Sequence, residues 1–313
     1  MKKYGFGVDV GGTTCKIGFF ETTGALLDKW EIKTDTTDNG KYILDNIANA
    51  LRAKLEEKGV SMDEVQGIGI GIPGPVNSKG IVDVCVNLGW KNVDVSAELS
   101  AKMDGVPVKA GNDANVAALG EMWQGGGKGH QDVVMVTLGT GVGGGIIIGG
   151  KVVAGAHGAG GEIGHIIMDT EEEETCGCGC KGCLEQYSSA TGVVRLAKRR
   201  LAQEHEETTL DTLEAITAKD VFDAYKAGDK VAAEVVEKFA SVLGRALGKI
   251  ARVVDPEVFV IGGGVSKAGQ PLVDAVQKAY EADVFSVLKQ TEFALAELGN
   301  DAGIYGCVQM ILE

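Results

Sequence analysis

The stretch that decides the fold is Tyr4-Gly-Phe-Gly-Val-Asp9-Val-Gly11-Gly12-Thr13-Thr14-Cys-Lys-Ile17-Gly-Phe-Phe20. It reads as an apolar strand, a tight glycine turn and a second apolar strand. The arrangement returns as Val133-Val-Met-Val-Thr-Leu138, Gly139-Thr140-Gly141 and Ile146-Ile-Ile148. Sliding residues 8–20 onto 136–148, an offset of 136 − 8 = 128, superposes Gly11 on Gly139 and apolar on apolar. Two unrelated glycine hairpins could look alike, but matching order and length favour an internal duplication.

Outward from these hairpins the pattern alternates. Ile43, Ile47, Leu51 and Leu55 mark one face of a helix over 42–57, and 65–72 is a short apolar strand ending in Pro73-Gly74-Pro75. A helix over 114–123 closes the first half. In the second half a long helix, 230–254, stops at Asp255-Pro256. A buried strand over 258–261 follows, then the turn Gly262-Gly263-Gly264 and a helix from about Pro271. This order predicts two α/β domains with mixed sheets and a cleft between them, residues 1–120 and 121–302, with a helix at about 303–313 packing back on the first.

Composition narrows the function. Glycine supplies 47 of 313 residues against only five prolines, with no collagen-like period, so the excess serves backbone geometry at particular places. The formal charge of −14 argues against broad binding to nucleic acid or an anionic membrane, but not against a small anion held by backbone N–H groups. The N-terminal residues reach a charge before any signal-like apolar region, and the longest uncharged stretch, 133–150, holds seven glycines and reads as a buried hairpin. A cytoplasmic protein is expected. Four of the seven cysteines crowd into 176–183, a pattern that suggests metal rather than disulfides.

Gly139, Gly141 and Gly144 satisfy G-x-G-x-x-G, but a strand follows where a dinucleotide fold needs a helix, and no P-loop motif occurs. What remains is two strand–turn–strand hairpins whose glycines expose backbone N–H groups to a phosphate from either side of a cleft. Asp9 before the first turn could position hydrated Mg²⁺ or merely cap the turn. Gly262–Gly264 offers a third close approach, or is simply a strand-to-helix turn.

These motifs resemble the sugar-kinase and actin-like ATPase superfamily, and specifically the ROK family with its bacterial glucokinases. The resemblance runs the whole chain: Asp9-Val-Gly-Gly-Thr13-Thr14, Gly71-Ile-Pro-Gly74-Pro, Gly111-Asn112-Asp113-Ala-Asn115, Leu138-Gly-Thr-Gly141-Val-Gly143, Gly161-Glu162-Ile-Gly-His165 and Cys176-Gly-Cys178-Gly-Cys-Lys-Gly-Cys183-Leu-Glu185. It implies two actin-like (ribonuclease H-like) domains, and ATP with Mg²⁺ held near Asp9, Gly11, Gly12 and Thr13, at Gly139, Thr140 and Gly141, and at Gly262, Gly263 and Gly264. It implies structural Zn²⁺ on His165, Cys176, Cys178 and Cys183, a closed Cys₃His set, with Cys180 a bystander. Glu162, His165, Glu185, Asn112 and backbone near Gly74 would hold the sugar, with Asn87 possible beside them. Asp113 opens a helix, where a capping role competes; the resemblance makes it the base at the reacting hydroxyl.

The activity so implied is phosphorylation of D-glucose at its 6-hydroxyl. Kinases for N-acetylmannosamine, N-acetylglucosamine or fructose, a sugar-responsive repressor and a non-catalytic sugar sensor are the competing readings. A homodimer or higher homo-oligomer is expected from the family alone. Glu171–Glu174, four acids in a row, read as a solvated loop.

Overall fold

The computed structural model describes residues 2–77 and 79–312. The chain divides into two compact units: Met1–Gln131 with Gly145–Gly161 and Leu298–Glu313, and Asp132–Gly144 with Glu162–Glu297.

The strands of the first part of the chain are β1 (Tyr4–Val10), β2 (Thr14–Glu21), β3 (Leu26–Lys33), β4 (Val65–Ile72), β5 (Ile81–Cys85), β6 (Trp90–Asp94) and β7 (Val108–Asn112). Five of them form a sheet in the order β3-β2-β1-β4-β7, while β5 and β6 make a separate ribbon. β2 runs antiparallel to β1, whereas β4 and β7 run parallel to it. The later strands are β8 (Val133–Leu138), β9 (Val142–Ile148), β10 (Lys151–Val152), β11 (Val258–Gly262) and β12 (Glu292–Leu295), ordered β10-β9-β8-β11-β12. Here too β11 is parallel to β8 and β12 to β11. The two sheets therefore repeat one strand order, as the 128-residue offset anticipates; β2 and β9 even begin at the superposed positions Thr14 and Val142. The turns differ in closure: Gly11 N–H donates to Thr14 O, but Gly139 N–H to Gly141 O.

Helices fall where the apolar spacing puts them, to within a residue or two. Ile43–Lys58 buries Ile43, Ile47, Leu51 and Leu55 and ends at left-handed Gly59. Lys230–Val254 is capped by the Asp229 carboxylate and stops at Asp255, whose φ of 47° leaves the helical region.

The glycine excess has a mechanical cause in the first unit. Helix Ala302–Leu312 lies against β1, β4 and helix Asp113–Gln124 at a spacing no side chain could share. A Cβ at Gly7 would sit 2.0 Å from Ile304 O, one at Gly69 1.8 Å from Cys307 O, and one at Gly306 1.6 Å from Val116 O. The buried Cys307 thiol donates to Val8 O at 3.1 Å across the same seam.

Candidate functional site

In the first unit the parallel strands end in register. Asp9 on β1 lies beside Gly71 on β4, and Gly71 beside Gly111 on β7. The Asp9 carboxylate, the Pro73–Pro75 turn and the Asn112-Asp113 pair thus arise at one carboxyl edge, where α/β sheets present ligand-binding groups.

Asn112 is the N-cap of helix Asp113–Gln124. Its Oδ1 accepts from Ala114 N and Asn115 N at 3.1 and 3.2 Å, while its Nδ2 donates to Gly74 O at 3.1 Å. Capping therefore falls to Asn112, and the same side chain locks the Gly74 turn, where φ is 126°. Asp113 occupies the first helical position, where the dipole favours an anion, and Ala114 N donates to its Oδ1 at 2.8 Å.

Asp9 is mostly buried, and burial, with the Asp113 charge second, raises its pKa to about 6. Lys16 faces it across β1 and β2 but also lies 3.4 Å from Asp301. Helix Ala302–Leu312 comes closest to the Asp9 carboxylate at Gly303, where a Cβ would stand 2.6 Å from it. Thr34 props the first glycine turn, donating through Oγ1 to Gly11 O at 2.7 Å and through N to Thr13 O at 2.9 Å, while Gly12 and Thr13 are exposed. Asn87 is exposed in the short 3₁₀ turn Val86–Leu88. Two residues earlier, the Cys85 thiol donates to Pro73 O at 2.8 Å, which ties that loop to the Gly74 turn.

In the second unit the expected residues gather around the Gly139–Gly141 turn. A Cβ on Gly141 would meet Glu185 Oε2 at 2.5 Å, and one on Gly164 would meet Val142 O at 2.1 Å, so Glu185 and the Glu162–His165 segment both press on the turn. Gly263, with φ 86°, fits against Leu138, where a Cβ would lie 2.6 Å from its N and O. The Gly139–Gly141 and Gly262–Gly264 turns are therefore neighbours at the carboxyl ends of β8 and β11.

His165, Cys176, Cys178 and Cys183 bring their ligand atoms within 4.8 Å of one another. His165 Nδ1 is 3.8 Å from Cys176 Sγ, and Cys178 Sγ is 3.6 Å from Cys183 Sγ. Tetrahedral thiolates at Zn–S of about 2.3 Å stand about 3.7 Å apart, so the donors have the spacing the ion needs. The frame is a small hairpin closed by bridges Ile167 to Cys183 and Thr175 to Lys181. Cys176 Sγ also donates to Glu185 Oε1 at 2.9 Å. Cys180 is exposed, and its thiol interacts with that of Cys178.

Three features were not read from the sequence. Glu172 is buried, against the expectation of a solvated acidic loop: Arg195, Arg199 and the Tyr187 hydroxyl, which donates at 2.6 Å, converge on its carboxylate, and Arg199 holds its pKa far below the usual range. The i,i+4 pair Arg195 and Arg199 was the available signal. Gln186 ties the cysteine loop to this network, accepting from Cys183 N and donating to Glu174 O, each at 3.0 Å. Finally, helix Ala190–Leu201 starts at the glycine turn: Ala190 N donates to Gly139 O at 2.8 Å and Thr191 Oγ1 to Thr140 O at 2.7 Å. Beside it a cavity of about 360 Å³ runs between Ala190, Phe222, Lys226 and Gly264.

Among the described residues no helix is long and apolar enough to cross a membrane. The ROK family model matches residues 5–313. A glucokinase of Halalkalibacterium halodurans is 45% identical over 306 residues, 96% of this chain and 92% of that protein. Among solved structures, a ROK family glucokinase from Streptomyces griseus in complex with glucose and AMPPNP is 34% identical with a TM-score of 0.73, covering 98% of each chain. The ROK hexokinase from Thermus thermophilus is 30% identical with a TM-score of 0.80, covering 97% of this chain and 96% of that one.

Proposed function

The chain belongs to the ROK family, and we propose that it is a cytoplasmic, ATP-dependent glucokinase that phosphorylates the 6-hydroxyl of D-glucose. The observation that carries the reading is the paired placement of Asp9 and Asp113 at the carboxyl edge of one sheet, each carboxylate within the field of the other. The 45% identity to a glucokinase over nearly the whole chain supports the substrate.

Asp113 receives the proton of the 6-hydroxyl as that oxygen bonds to the γ-phosphorus and the bond to ADP breaks. A carboxylate at a helix N-terminus is a weak base, which suffices where the transition state is loose and the proton leaves late. Asn112 holds Asp113 and the Gly74 turn in fixed relation, and so positions the sugar side of the reaction. Glu162, Glu185 and His165 would take the sugar hydroxyls; with Nδ1 turned to the cysteines, His165 keeps Nε2 as a donor. Backbone N–H groups at 11–13, 139–141 and 262–264 would receive the phosphates, and the Phe222 cavity suits the adenosine. Mg²⁺ fits Asp9, because an acid whose charge is costly in the folded chain gains from a cation beside it; bound there it would neutralise phosphate charge. Zn²⁺ fits the Cys₃His set, whose thiolate–imidazole chemistry and spacing match it; it would hold His165 and Glu185 in register.

The test is ADP release from Mg-ATP with glucose, mannose, fructose, N-acetylmannosamine and N-acetylglucosamine. Glucose should give the highest kcat/KM, and Asp113→Asn should abolish turnover while glucose binding and zinc content persist. Preference for another sugar overturns the substrate, and near-normal turnover by the variant overturns the base.

A further inference from the structure

Beside the candidate site, on the open edge of the first sheet, lies a cavity of about 520 Å³. Its floor is β7, the last strand of its sheet, which turns half of its backbone N–H and C=O groups away from β4. Its wall contains three lysines, Lys79, Lys109 and Lys151, and no aspartate or glutamate among the described residues. That is unusual in a chain with 44 acidic and 30 basic residues. Nor does any of the three form an ion pair among the described residues, so no carboxylate neutralises them within the hollow. Three lysines lining one hollow, with no acid among them, leave a favourable place for an anion.

A second observation points the same way. Asn115, only 5% exposed, lines the cavity, and its buried Oδ1 has no hydrogen-bond partner. A buried carbonyl left unpaired is costly, so a donor is expected there. Asn77 and Ser96 add further polar lining, and no aromatic ring offers a stacking face for a nucleobase. The matching ligand is small, anionic at one end and hydroxylated at the other.

We propose that this cavity binds a sugar phosphate, its phosphate monoester among Lys79, Lys109 and Lys151 and a hydroxyl on Asn115 Oδ1. Asn112 is the one candidate-site residue in its wall; Asp9, Gly74 and Asp113 take no part. The assignment stands on the cavity itself and not on the kinase reading, although a phosphorylated hexose is what that reaction would yield. An occupant would lie one residue from Asp113 along the chain, so the site is placed to sense phosphorylated product.

The experiment is calorimetric titration of glucose 6-phosphate into wild-type protein saturated with glucose and AMPPNP, repeated with the Lys79→Gln/Lys109→Gln/Lys151→Gln variant. The wild type should bind one equivalent, more weakly as salt rises. The variant should bind at least tenfold more weakly, with its thermal midpoint and its kcat in the absence of added phosphate unchanged. Absent binding in the wild type, or equal binding in the variant, overturns the site. Equal affinity for inorganic phosphate overturns the sugar part of the assignment. Asp113→Asn should titrate like wild type, so failure of the kinase reading and failure of this one give different results.

Discussion

Replacing Asp9 by asparagine separates what this residue does for the fold from what it does for catalysis. Burial and the neighbouring Asp113 charge lift its pKa from 3.8 to about 6, a shift of roughly two pH units. At 1.36 kcal/mol per unit, the ionised side chain costs the folded state about 3 kcal/mol. The sign follows from linkage: with the folded value above the unfolded one, the native state holds the extra proton. The Asp9 contribution to stability is therefore most favourable below about pH 4, falls as pH rises towards about 6, and is level above that. Lys16 does not offset the cost fully, because its ammonium also serves Asp301 at 3.4 Å. Asp9→Asn is nearly isosteric beside Gly303 and carries no charge, so the variant should lack this slope. At pH 8 its gain is at most about 3 kcal/mol, or about 4 °C at an unfolding entropy near 2.1 cal/mol/K per residue, less whatever its buried amide leaves unbonded. At pH 4 the difference should vanish. Thermal scans at the two pH values read this directly, and Mg-ATP should raise the wild type's midpoint more than the variant's, because only the wild type keeps the carboxylate that gains from the cation. Turnover should fall on the order of 10²–10³-fold, as for loss of a group that stabilises transferring charge. A variant less stable than wild type at pH 8, or a difference unchanged between pH 4 and pH 8, would refute the reasoning.

The glycine that admits helix Ala302–Leu312 to this carboxylate gives an independent check: Gly303→Ala inserts a methyl 2.6 Å from Asp9 Oδ2 and should cut kcat about tenfold with zinc content unchanged, whereas unaltered kcat would show that Asp9 can shift freely. Glu172→Gln leaves Arg195 and Arg199 facing a neutral partner and should cost about 2–4 kcal/mol in urea unfolding, since these guanidiniums are partly solvated; a cost below about 1 kcal/mol would make the network ornamental. Because the Glu172 pKa is depressed, its stabilising share is present above the usual carboxylate range and disappears as pH falls through the lower folded value. Cys178→Ser should lower metal content below one equivalent and raise KM for glucose more than it lowers kcat; full occupancy with unchanged KM would sink the bracing role of the cluster.

The parts of this protein legible in the sequence are those written in short-range pattern. A strand–glycine–strand unit repeated at a fixed offset predicts the repeated sheet order, because register and turn length are local properties. Likewise the spacing of the cysteines and His165 predicts a cluster that the hairpin then brings to ligand distance. What escaped the sequence depends on partners distant along the chain. Glu172 sits in a run of four acids and looks solvated until helix Ala190–Leu201 brings Arg195 and Arg199 over it. Asn112 and Asp113 both suit a helix start, and the bonds Asn112 makes, as cap to Ala114 N and Asn115 N and across to Gly74 O, 38 residues away, show which of them is spent on structure.

The same distinction explains the glycines. Gly11, Gly12, Gly139 and Gly141 advertise themselves as turns, and a turn invites a ligand. Gly7, Gly69, Gly303 and Gly306 carry no such signal, since strand and helix patterns merely tolerate them. Their reason appears only when helix Ala302–Leu312 is laid on the sheet: a Cβ at Gly7, Gly69 or Gly306 would collide with backbone, and one at Gly303 with Asp9 itself. That last contact joins the two classes. The close packing that fixes the C-terminal helix also strips water from Asp9, and the loss of water raises its pKa. The cost of ionising Asp9 and its fitness to receive a cation therefore share their largest cause, a burial to which the bare backbone at residue 303 contributes.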